Sequence, residues 1–464
     1  MALASSGGAG QWSSRFAFIM AAVGSSVGLG NLWRFPYMTG ENGGAAFVIV
    51  YLLCVVLVGF PIMIAELSVG RHARLSAVGS TRKMAQDAGA SPLWSITGWV
   101  GMIGAFLILV TYSVVAGWVI SYIYKMGTGA FAGLNASEVR DAFQTFTADK
   151  STVIMFHTGF MIATMLIVMR GISGGIEKAA IILMPLFFIM LLGMVGYAFV
   201  QGDMGAAVHY LFRPDFGKII ENPNIVLQAL GQAFFSLSLG SAIMITYGGF
   251  LKKEDNIASS SVTIVGSDTF VAIIAGLAIF PIVFAFPELE PNAGPSLFFE
   301  ALPTAFAQMP GGNVFGAIFF ILAFFAALTS SISLLQTVIS WSEEHTDLGK
   351  VTSTLIFGTL VWLLGVGAAF SGEFSNFLDF ISGSLALPIA GLLIAVFAGW
   401  IVSKEIMRKE LPQASNAMFA FWRFTIRYPA PIAVSIIIVL GLDATFGWGL
   451  SDMIFGGGEQ LATD

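Results

Sequence analysis

The first long apolar stretch of the chain is interrupted near its middle by glycine and polar residues. The interruption reads Gly24, Ser25, Ser26, Val27, Gly28, Leu29, Gly30 and Asn31, and Trp33-Arg34-Phe35-Pro36 follows it. Glycine, serine and asparagine are poor helix formers. Inside a bilayer an unpaired backbone group costs several kcal/mol, so irregular backbone persists there only where protein buries it or where it lines a cavity. The interruption therefore predicts a binding site at membrane depth.

Composition places the chain in the membrane. Hydrophobic residues make up 56% of the sequence and charged residues only 10%, whereas soluble domains carry about 25% charged residues. A helix needs about 20 apolar residues to cross a bilayer. That rule gives eleven candidate spans, centred near residues 27, 57, 108, 161, 188, 238, 273, 328, 361, 388 and 440. The links between them are short, which predicts a single all-α transmembrane domain over residues 1–464 with no soluble domain.

The placement of basic residues predicts the orientation, because Lys and Arg concentrate on the cytoplasmic side. With the N-terminus inside, most of the 21 basic residues lie on that side: Arg15, Arg71, Arg74, Arg82, Lys83, Arg170, Lys178, Lys252, Lys253, Lys350, Lys404, Arg408, Lys409, Arg423 and Arg427. We therefore expect a multi-pass protein of the inner (plasma) membrane with a cytoplasmic N-terminus and an external C-terminus. Residues 1–10 are small and polar, unlike a charged, cleavable leader.

A second interruption lies in the other half of the chain, at Phe235-Ser236-Leu237-Ser238-Leu239-Gly240-Ser241. Many transporters consist of two inverted five-helix repeats whose first helices are both discontinuous. The matched positions predict a first repeat over 14–201 (spans 1–5), a second over 224–402 (spans 6–10) and an eleventh span over 428–455. The alternative is that small residues, such as Gly24 and Gly28, only let helices pack closely.

Ionisable residues within the spans need partners or a function. A charge at mid-depth costs about 2.5 to 3.5 kcal/mol, and Arg34, Glu66, Asp268 and Asp379 lie in or near apolar segments. Asp268 is the most enclosed by apolar neighbours in sequence. Arg34 and Asp379 have an alternative interpretation, in which each lies at a helix end where its charge reaches water and has no function in a binding site.

Span 8 carries several hydroxyl groups on one turn, in Ala326-Ala327-Leu328-Thr329-Ser330-Ser331. Hydroxyl and carbonyl oxygens suit a hard cation, although such side chains also bond to their own preceding turn. Cys54 is the only cysteine, and the four histidines have no metal-ligand spacing. These features exclude a disulfide framework, and they disfavour a zinc or copper site because such metals take sulfur and imidazole ligands.

Four segments together carry a family resemblance: GSSVGLGNLWRFP at 24–36, GENGG at 40–44, GQAFFSLSLG at 231–240 and FFAALTSSI at 324–332. They resemble the neurotransmitter:sodium symporter family, and the match extends over essentially all ten core spans. The resemblance implies the LeuT fold, with a 5+5 inverted repeat and discontinuous helices 1 and 6. Within the family, the sequence resembles the bacterial eleven-span amino-acid transporters. One member of this family is itself a worked example of the repeat rule used above.

The resemblance implies two sodium sites. One, here called sodium site 2, would use backbone carbonyls and hydroxyls of Gly24, Val27, Ala326, Thr329 and Ser330. The other, sodium site 1, would lie against the substrate carboxylate and use Ser26, Asn31, Ser236 and Asp268. The family often has asparagine at the position of Asp268. Many members bind chloride through groups that match Tyr51, Gln232 and Ser236. Since Asp268 supplies a fixed negative charge, we expect chloride not to be required.

The resemblance also implies the substrate class. Relatives that carry amines have an acidic residue where this chain has Gly28, and a glycine leaves room and backbone amides for a carboxylate. An α-amino acid substrate would contact Ser25, Ser26, Gly28, Leu29, Gly30, Ile108, Tyr112, Phe235, Ser236, Ser238, Ser241, Ser330 and Leu334. Ser241 replaces the phenylalanine of a small-substrate relative. We therefore expect a hydrophobic or aromatic amino acid.

Gate residues follow from the same comparison of motifs. Arg34 and Asp379 match an external gate pair, with Tyr112 and Phe235 closing over the substrate. Glu344 matches the acidic half of a cytoplasmic gate, but its usual basic partner before Trp12 is absent, since Ala9-Gly10-Gln11 stands there. In span 5, Gly175 and Pro185 match a motif that lets the cytoplasmic end of the helix unwind.

The sequence thus predicts a symporter that imports an amino acid with two sodium ions by alternating access. The partners would be the substrate, Na⁺ and the bilayer, without nucleic acid, and the sequence does not indicate the oligomeric state. Alternatives are a small polar or GABA-like substrate, or a sodium-gated sensor or channel. An enzyme is disfavoured, because the G-x-S-x-G match at Gly171–Gly175 has no preceding strand.

Overall fold

The computed structural model describes residues 11–222, 224–289 and 296–450. Within these ranges the chain is almost entirely helical and contains no β-strand. Among the residues described, nine helices are long and apolar enough to cross a bilayer, and a bent pair makes a tenth crossing. The halves Asn224–Ser236 and Ile243–Gly249 of a further broken helix complete the eleven crossings that the sequence predicts.

We number the crossings in chain order as spans 1 to 11. Their bounds are Arg15–Ser26 with Gly30–Glu41, Ala45–Ala73, Pro92–Gly127, Lys150–Val168, Ile172–Gln201, Asn224–Ser236 with Ile243–Gly249, Ile257–Phe284, Gly312–His345, Lys350–Phe370, Gly372–Ile401 and Asn416–Asp443. Shorter helices occupy the links: Ala77–Asp87, Ala136–Ala148, Met204–Phe212, Gly217–Glu221, Leu302–Gln308 and Lys404–Glu410.

Side-chain caps define where several spans begin. The Ser14 hydroxyl accepts a hydrogen bond from the Ala17 N–H at 3.1 Å and starts span 1. The Asn256 amide oxygen accepts from the Ser259 N–H at 3.0 Å and starts span 7. A cap of this kind satisfies one of the otherwise unpaired N–H groups at a helix start. Polar residues at these positions therefore mark the ends of long apolar segments.

Span 8 is the central element of the bundle. It packs along spans 3, 5 and 9, while the first half of span 1 packs against spans 5, 7 and 8. Glycines let some backbones approach directly: a Cβ atom on Gly70 would lie 1.9 Å from the Ile245 carbonyl oxygen. Small residues at helix contacts are typical of membrane bundles. This close packing holds the two interrupted spans beside span 8.

The outward faces of the peripheral spans are apolar. In span 5, Ile182 and Ile189 are each about two-thirds exposed, at 65% and 67%, and Phe199 is 68% exposed. Large apolar side chains on the outside of a helical bundle match hydrocarbon rather than water. The fold is therefore that of an integral membrane protein, as the composition predicts.

Candidate functional site

The interruption of span 1 is a real break in the helix. Arg15–Ser26 ends at Val27, whose backbone is extended (φ −70°, ψ 103°), and the chain resumes helically at Gly30 after a bend of 50°. The Gly28 N–H donates to the Asn31 amide oxygen at 3.0 Å. Backbone carbonyls at the end of one half and N–H groups at the start of the other are thereby released from helical pairing.

Span 6 is broken over residues 237–242, and the break is held in an unusual backbone conformation. Ser238, Gly240 and Ala242 have positive φ angles of 52°, 73° and 60°. At Gly240 glycine is required, because a Cβ atom there would lie 2.1 Å from the Leu387 carbonyl oxygen. The buried Glu66 carboxylate accepts a hydrogen bond from the Gly240 N–H at 2.8 Å. Glu66 therefore has a structural partner in the second break.

The two breaks contact each other directly. The Ser238 hydroxyl donates to the Ser25 carbonyl oxygen at 3.2 Å. On the other side of the break, the Asn31 amide nitrogen donates to the Ser236 hydroxyl at 3.0 Å. Both interruptions thus form one polar region inside an apolar bundle.

Asp268 on span 7 completes this polar region. Its carboxylate accepts from the Asn31 amide nitrogen at 2.9 Å and from the Ser236 hydroxyl at 2.8 Å. All three side chains are buried, with at most 1% exposure. No Lys, Arg or His in the described ranges forms an ion pair with Asp268. The structure therefore brings Asn31, Ser236 and Asp268 together as an oxygen-rich cluster, with the buried Ser26 at the neighbouring break.

The candidate chloride residues lie beside this carboxylate. The Tyr51 hydroxyl neighbours Asp268 without a well-aligned hydrogen bond. The Gln232 amide nitrogen donates to the Gly30 carbonyl oxygen at 3.2 Å. Ala272, one turn beyond Asp268, adds no charge. An anion placed among Tyr51, Gln232 and Ser236 would therefore face a carboxylate.

The residues predicted for sodium site 2 also converge. The Ser330 hydroxyl donates towards the Gly24 carbonyl at 3.5 Å and the Ser25 carbonyl at 3.2 Å. The Thr329 hydroxyl donates to the Ala326 carbonyl at 3.1 Å. A Cβ atom on Gly24 would lie 3.1 Å from the Thr329 Cβ atom. Span 1 and span 8 thus meet through oxygen atoms, and Val27 turns its backbone out of the helix at the same level.

A cavity of about 40 Å³ lies between the breaks and span 3. The sequence-predicted substrate residues line it except for Ser236, namely Ser25, Ser26, Gly28, Leu29, Gly30, Ile108, Tyr112, Phe235, Ser238, Ser241, Ser330 and Leu334. Ile243 and Leu387 also line the cavity, and sequence reasoning missed both. An apolar side chain on an apolar span gives no signal that it faces a cavity.

Gly28 sets the depth of this cavity. A Cβ atom on Gly28 would lie 2.8 Å from the Ser330 hydroxyl oxygen and 3.3 Å from the Tyr112 hydroxyl oxygen. The Leu29 N–H points at the same Tyr112 hydroxyl, at 3.5 Å. The Leu29 amide and the Tyr112 hydroxyl thus face the place that a larger residue 28 would fill.

Comparison with known proteins identifies the family. The model of the sodium:neurotransmitter symporter family matches residues 9–153 and 138–455. The chain belongs to this family. A sodium-dependent transporter of Bacillus subtilis is 34% identical over 443 residues, which is 92% of this chain and 97% of the relative. A sodium-dependent transporter of Haemophilus influenzae is 34% identical over 451 residues, which is 93% of this chain and 98% of the relative.

A solved structure has the same architecture as this family member. The structure of MhsT in complex with L-phenylalanine superposes with a TM-score of 0.86 at 38% identity, covering 94% of this chain and all of that one (100%). The chain therefore has the LeuT fold, with discontinuous helices 1 and 6. It belongs to a family of transporters and is not an enzyme. The G-x-S-x-G match at Gly171–Gly175 lies in the turn that begins span 5.

On one side of the cavity between the two breaks the protein has a vestibule of about 790 Å³. Arg34 and Asp379 both line it, yet no ion pair joins them in the part of the chain that the structure describes. The Arg34 guanidinium lies over the Phe235 ring at 4.9 Å, and Asp379 accepts from the Thr111 hydroxyl at 2.7 Å. The predicted external gate residues thus both border the vestibule, each with another partner.

On the opposite side the symporter is packed closed. The predicted gate residue Glu344 accepts a hydrogen bond from the Ser76 N–H at 2.5 Å, at the start of the Ala77–Asp87 helix. A Cβ atom on Gly79 would overlap the Glu344 carboxylate, lying 2.0 Å from its oxygen. Glu344 therefore binds a helix N-terminus, which is favourable for an anion. Ala9 and Gly10, where the basic partner is missing, lie outside the described residues.

The two span 5 residues of the predicted unwinding motif lie on either side of its first helical turns. Gly175 is in the wide turn Ile172–Ile176, where a Cβ atom would lie 2.0 Å from the Ile167 carbonyl oxygen. Pro185 lies inside the helix Glu177–Gln201. Between them, the segment has a wide turn at one end and lacks a backbone donor at the other.

Proposed function

We propose that this chain is a sodium-coupled symporter that imports a hydrophobic or aromatic L-α-amino acid by alternating access. It would carry two sodium ions with each substrate and would not require chloride. The observation that carries the proposal is the single buried region in which two helix breaks, a carboxylate and several hydroxyls meet around a small cavity.

Sodium would be co-transported cargo at both groups of oxygen atoms. Carbonyl, hydroxyl and carboxylate oxygens are the ligands that hard cations take in proteins. Gly24, Val27, Ala326, Thr329 and Ser330 would hold one ion. Ser26, Asn31, Ser236 and Asp268 would hold the other, where Asp268 supplies a full negative charge. Na⁺ moving inwards through a potential of 100 mV yields about 2.3 kcal/mol per ion.

The substrate carboxylate would bind at the start of the second half of span 1. The N–H groups of Leu29 and Gly30 lie at a helix N-terminus, which attracts anions. The Leu29 N–H would exchange the Tyr112 hydroxyl for the substrate carboxylate. Tyr112 adds a hydroxyl donor, and the carbonyls of Ser25, Phe235 and Ser236 would receive the ammonium group. Gly28 supports this reading, because an acidic side chain at that position would occupy the space and repel the carboxylate.

Three features favour a large apolar side chain on the substrate. Ile108, Leu334 and Leu387 give the cavity apolar walls. Ser241 is small, and the MhsT structure with the same fold carries L-phenylalanine. The cavity of about 40 Å³ must widen to accept such a substrate, and the Phe235 ring, which borders both cavity and vestibule, is the side chain best placed to move.

The small cavity also favours a second candidate, a small polar or GABA-like substrate. Ser238, Ser241 and Ser330 would then hydrogen-bond to the substrate rather than border its side chain. Competition separates the candidates: tryptophan and leucine should displace a bound amino acid in the first case, and glycine or GABA in the second.

Chloride independence would follow from the carboxylate beside Tyr51 and Ser236. A chloride ion at that place would have to approach a buried negative charge, and like charges repel strongly where water is excluded. Asp268 would thus supply in the protein itself the negative charge that compensates the sodium ions.

The deciding experiment is uptake into proteoliposomes that contain the purified protein. Twenty labelled amino acids are tested with an inward gradient of Na⁺, with choline replacing Na⁺, and with gluconate replacing Cl⁻. We expect accumulation of apolar amino acids only with Na⁺ and equally in gluconate. Binding without accumulation would favour a sensor or channel, and uptake in choline would contradict the proposal.

We also propose the predicted orientation, with the start of span 1 in the cytoplasm. The closed side of the molecule, which contains Trp12 and Glu344, would then face the cytoplasm, and the vestibule around Arg34 and Asp379 would face outwards. Labelling of single cysteines from each side of sealed vesicles tests this orientation.

A further inference from the structure

The beginning of span 1 is tied to span 5 by a buried carboxylate. Glu177, only 6% exposed, accepts a hydrogen bond from the Ser13 N–H at 3.0 Å. Its second oxygen accepts from the Ser13 hydroxyl. Ser13 directly precedes Ser14, which caps the first helix of span 1. One carboxylate therefore holds the entry of that helix through two donors.

In the described part of the chain, Glu177 has no basic side chain as a partner. Within residues 11–222, 224–289 and 296–450, no Lys, Arg or His side chain forms an ion pair with it. The start of a helix carries unpaired N–H groups and a partial positive charge. Glu177 binds Ser13, one residue before the N-cap Ser14, so its two donors are a backbone N–H and a hydroxyl beside the positive end of the helix and not a basic side chain.

Neighbouring contacts tie the same segment to span 6. The Trp12 indole donates to the Tyr247 carbonyl at 3.2 Å, and the Trp12 N–H donates to the Phe250 carbonyl at 3.3 Å. Trp12 is 2% exposed and meets the Tyr247 ring edge-on at 5.2 Å. Residues 12 and 13 together thus close the space between spans 5 and 6.

The face of span 5 that carries Glu177 also reaches the predicted sodium site 2. Met184 follows Glu177 by seven residues, and residues with this spacing share one helix face. A Cβ atom on Gly24 would lie 3.0 Å from the Met184 sulfur. One face of span 5 therefore contacts span 1 at its first residues and again at Gly24, so a movement of span 1 at one contact changes the other.

We propose that Glu177 is the positioning residue that keeps the cytoplasmic route closed, in place of the basic partner of Glu344 that Ala9-Gly10-Gln11 does not provide. Its carboxylate holds the N-terminal end of span 1 through Ser13. When that contact breaks, Trp12 leaves its site between spans 5 and 6, and water reaches Gly24 from the cytoplasm. The inference rests on the proposed function in that it assigns the closed side of the molecule to the cytoplasm.

Glu344 is not available for this function in the closed form. Its carboxylate is engaged by the Ser76 N–H at 2.5 Å and fits against Gly79. Glu177 and Glu344 thus each accept from a backbone N–H beside the start of a helix. Of these two carboxylates, Glu177 binds the segment that has to move.

The test measures how fast a buried cysteine is modified. Ser333 is 1% exposed, and its hydroxyl lies 2.6 Å from the Tyr247 hydroxyl, beneath Trp12. In a Cys54→Ser, Ser333→Cys background, a membrane-impermeant maleimide reaches position 333 only when residues 12 and 13 have moved. The purified full-length protein is labelled in Na⁺ buffer and in choline buffer.

We expect Glu177→Gln to raise the labelling rate in choline about tenfold. The loss of a hydrogen bond to a charged group shifts the equilibrium between the closed and open forms by about that factor or more. Ser13→Ala removes one of the two donors and should raise it about fivefold. Glu177→Asp keeps the charge and should restore part of the protection. The matched control is Lys178→Gln, an exposed neighbour, which should stay within about twofold of the parent.

The outcomes separate this inference from the proposed function. Equal labelling of the parent and Glu177→Gln in choline would overturn the assignment of Glu177, whatever Na⁺ does. A parent whose labelling does not change with Na⁺ would contradict sodium coupling while leaving the comparison in choline intact. If Glu177→Gln does not fold, Ser13→Ala decides, and a rate equal to the parent's overturns the proposal.

Discussion

The vestibule and the packed side of the molecule differ in the contacts that their residues make. At the vestibule, Arg34 and Asp379 are engaged by Phe235 and Thr111 and not by each other. At the opposite side, Trp12 donates a hydrogen bond to the Tyr247 carbonyl, and Ser13 donates to the Glu177 carboxylate. The packed side is held by contacts within the chain, whereas the vestibule leaves its pair of charges apart. For the proposed alternating-access cycle, this difference predicts that closure of the vestibule needs bound ligands and that opening of the packed side breaks contacts within the protein.

The strongest test of this comparison is Trp12→Ala. Removal of a buried tryptophan side chain costs about 3 to 5 kcal/mol, and here the loss falls on the closed side alone. We expect Ser333→Cys to become rapidly labelled even in Na⁺ and concentrative uptake to be lost. Trp400→Ala is the matched control, because Trp400 is 49% exposed on the outside of the bundle. Unchanged labelling in Trp12→Ala would show that this side is not closed by Trp12.

Asp268→Asn tests whether negative charge at the centre permits the vestibule to close. Loss of the carboxylate should raise the sodium concentration for half-maximal uptake by about 10-fold or more, because a buried hydrogen-bonded charge contributes about 1.5 to 3 kcal/mol. Chloride should then stimulate transport through Tyr51, Gln232 and Ser236. The measurement is uptake against Na⁺ in chloride and in gluconate.

The matched control for this variant is Ser267→Ala, which changes the neighbouring residue and leaves the carboxylate in place. Uptake by Asp268→Asn that stays independent of chloride would contradict the charge argument, even if its sodium dependence shifts.

Arg34→Gln should affect the vestibule and leave the packed side unchanged. A surface ion pair contributes about 0.2 to 1 kcal/mol, so loss of the pair that Arg34 and Asp379 form on closing should weaken retention of substrate by about two- to fivefold. The measurement is the dissociation rate of labelled amino acid in Na⁺. The labelling rate of Ser333→Cys should stay at that of the parent. A higher rate would contradict the view that Arg34 acts on the vestibule alone.

The smallest effect is expected for Thr111→Val. This change frees Asp379 from the Thr111 hydroxyl while keeping the shape of the side chain. The carboxylate then exchanges one partner for another, so the net gain is only a fraction of the about 1.5 to 3 kcal/mol that a hydrogen bond to a charged group contributes. Asp379 should then reach Arg34 more readily, so that dissociation of substrate slows about twofold. The Arg34→Gln, Thr111→Val double variant should lose this gain, because the carboxylate then has no cation to meet.

Much of the site could be predicted from the sequence because backbone breaks in apolar spans are visible there. Gly24–Asn31 and Phe235–Ser241 lie at the two breaks, and Asn31, Ser236 and Asp268 form one cluster. These predictions relied on the chemistry of polar residues in hydrocarbon and on the family motifs. The ligand assignments themselves stay predictions, as do the repeat boundaries 14–201 and 224–402, and the end of the span predicted over 428–455 lies partly outside the described residues.

The partners of the acidic residues could not be predicted in the same way. These residues bind backbone N–H groups: Glu344 that of Ser76, Glu177 that of Ser13 and Glu66 that of Gly240. Because almost every residue has a backbone N–H, the residue type does not show which one will be the donor. A search for a basic partner of Glu344 therefore finds nothing near Trp12. Leu387 escaped prediction for another reason, since an apolar residue facing a cavity looks like one facing lipid.

The Phe235 ring has a consequence for inhibition. A Cβ atom on Gly30 would lie 3.0 Å from this ring, and the Arg34 guanidinium rests on it at 4.9 Å. Any solute that lifts the ring from Gly30 also displaces a positive charge at the mouth of the transporter. A molecule that binds beneath Phe235 and is too long for the ring to regain its position over Gly30 would therefore act as an inhibitor. It would stop the proposed cycle before the vestibule closes.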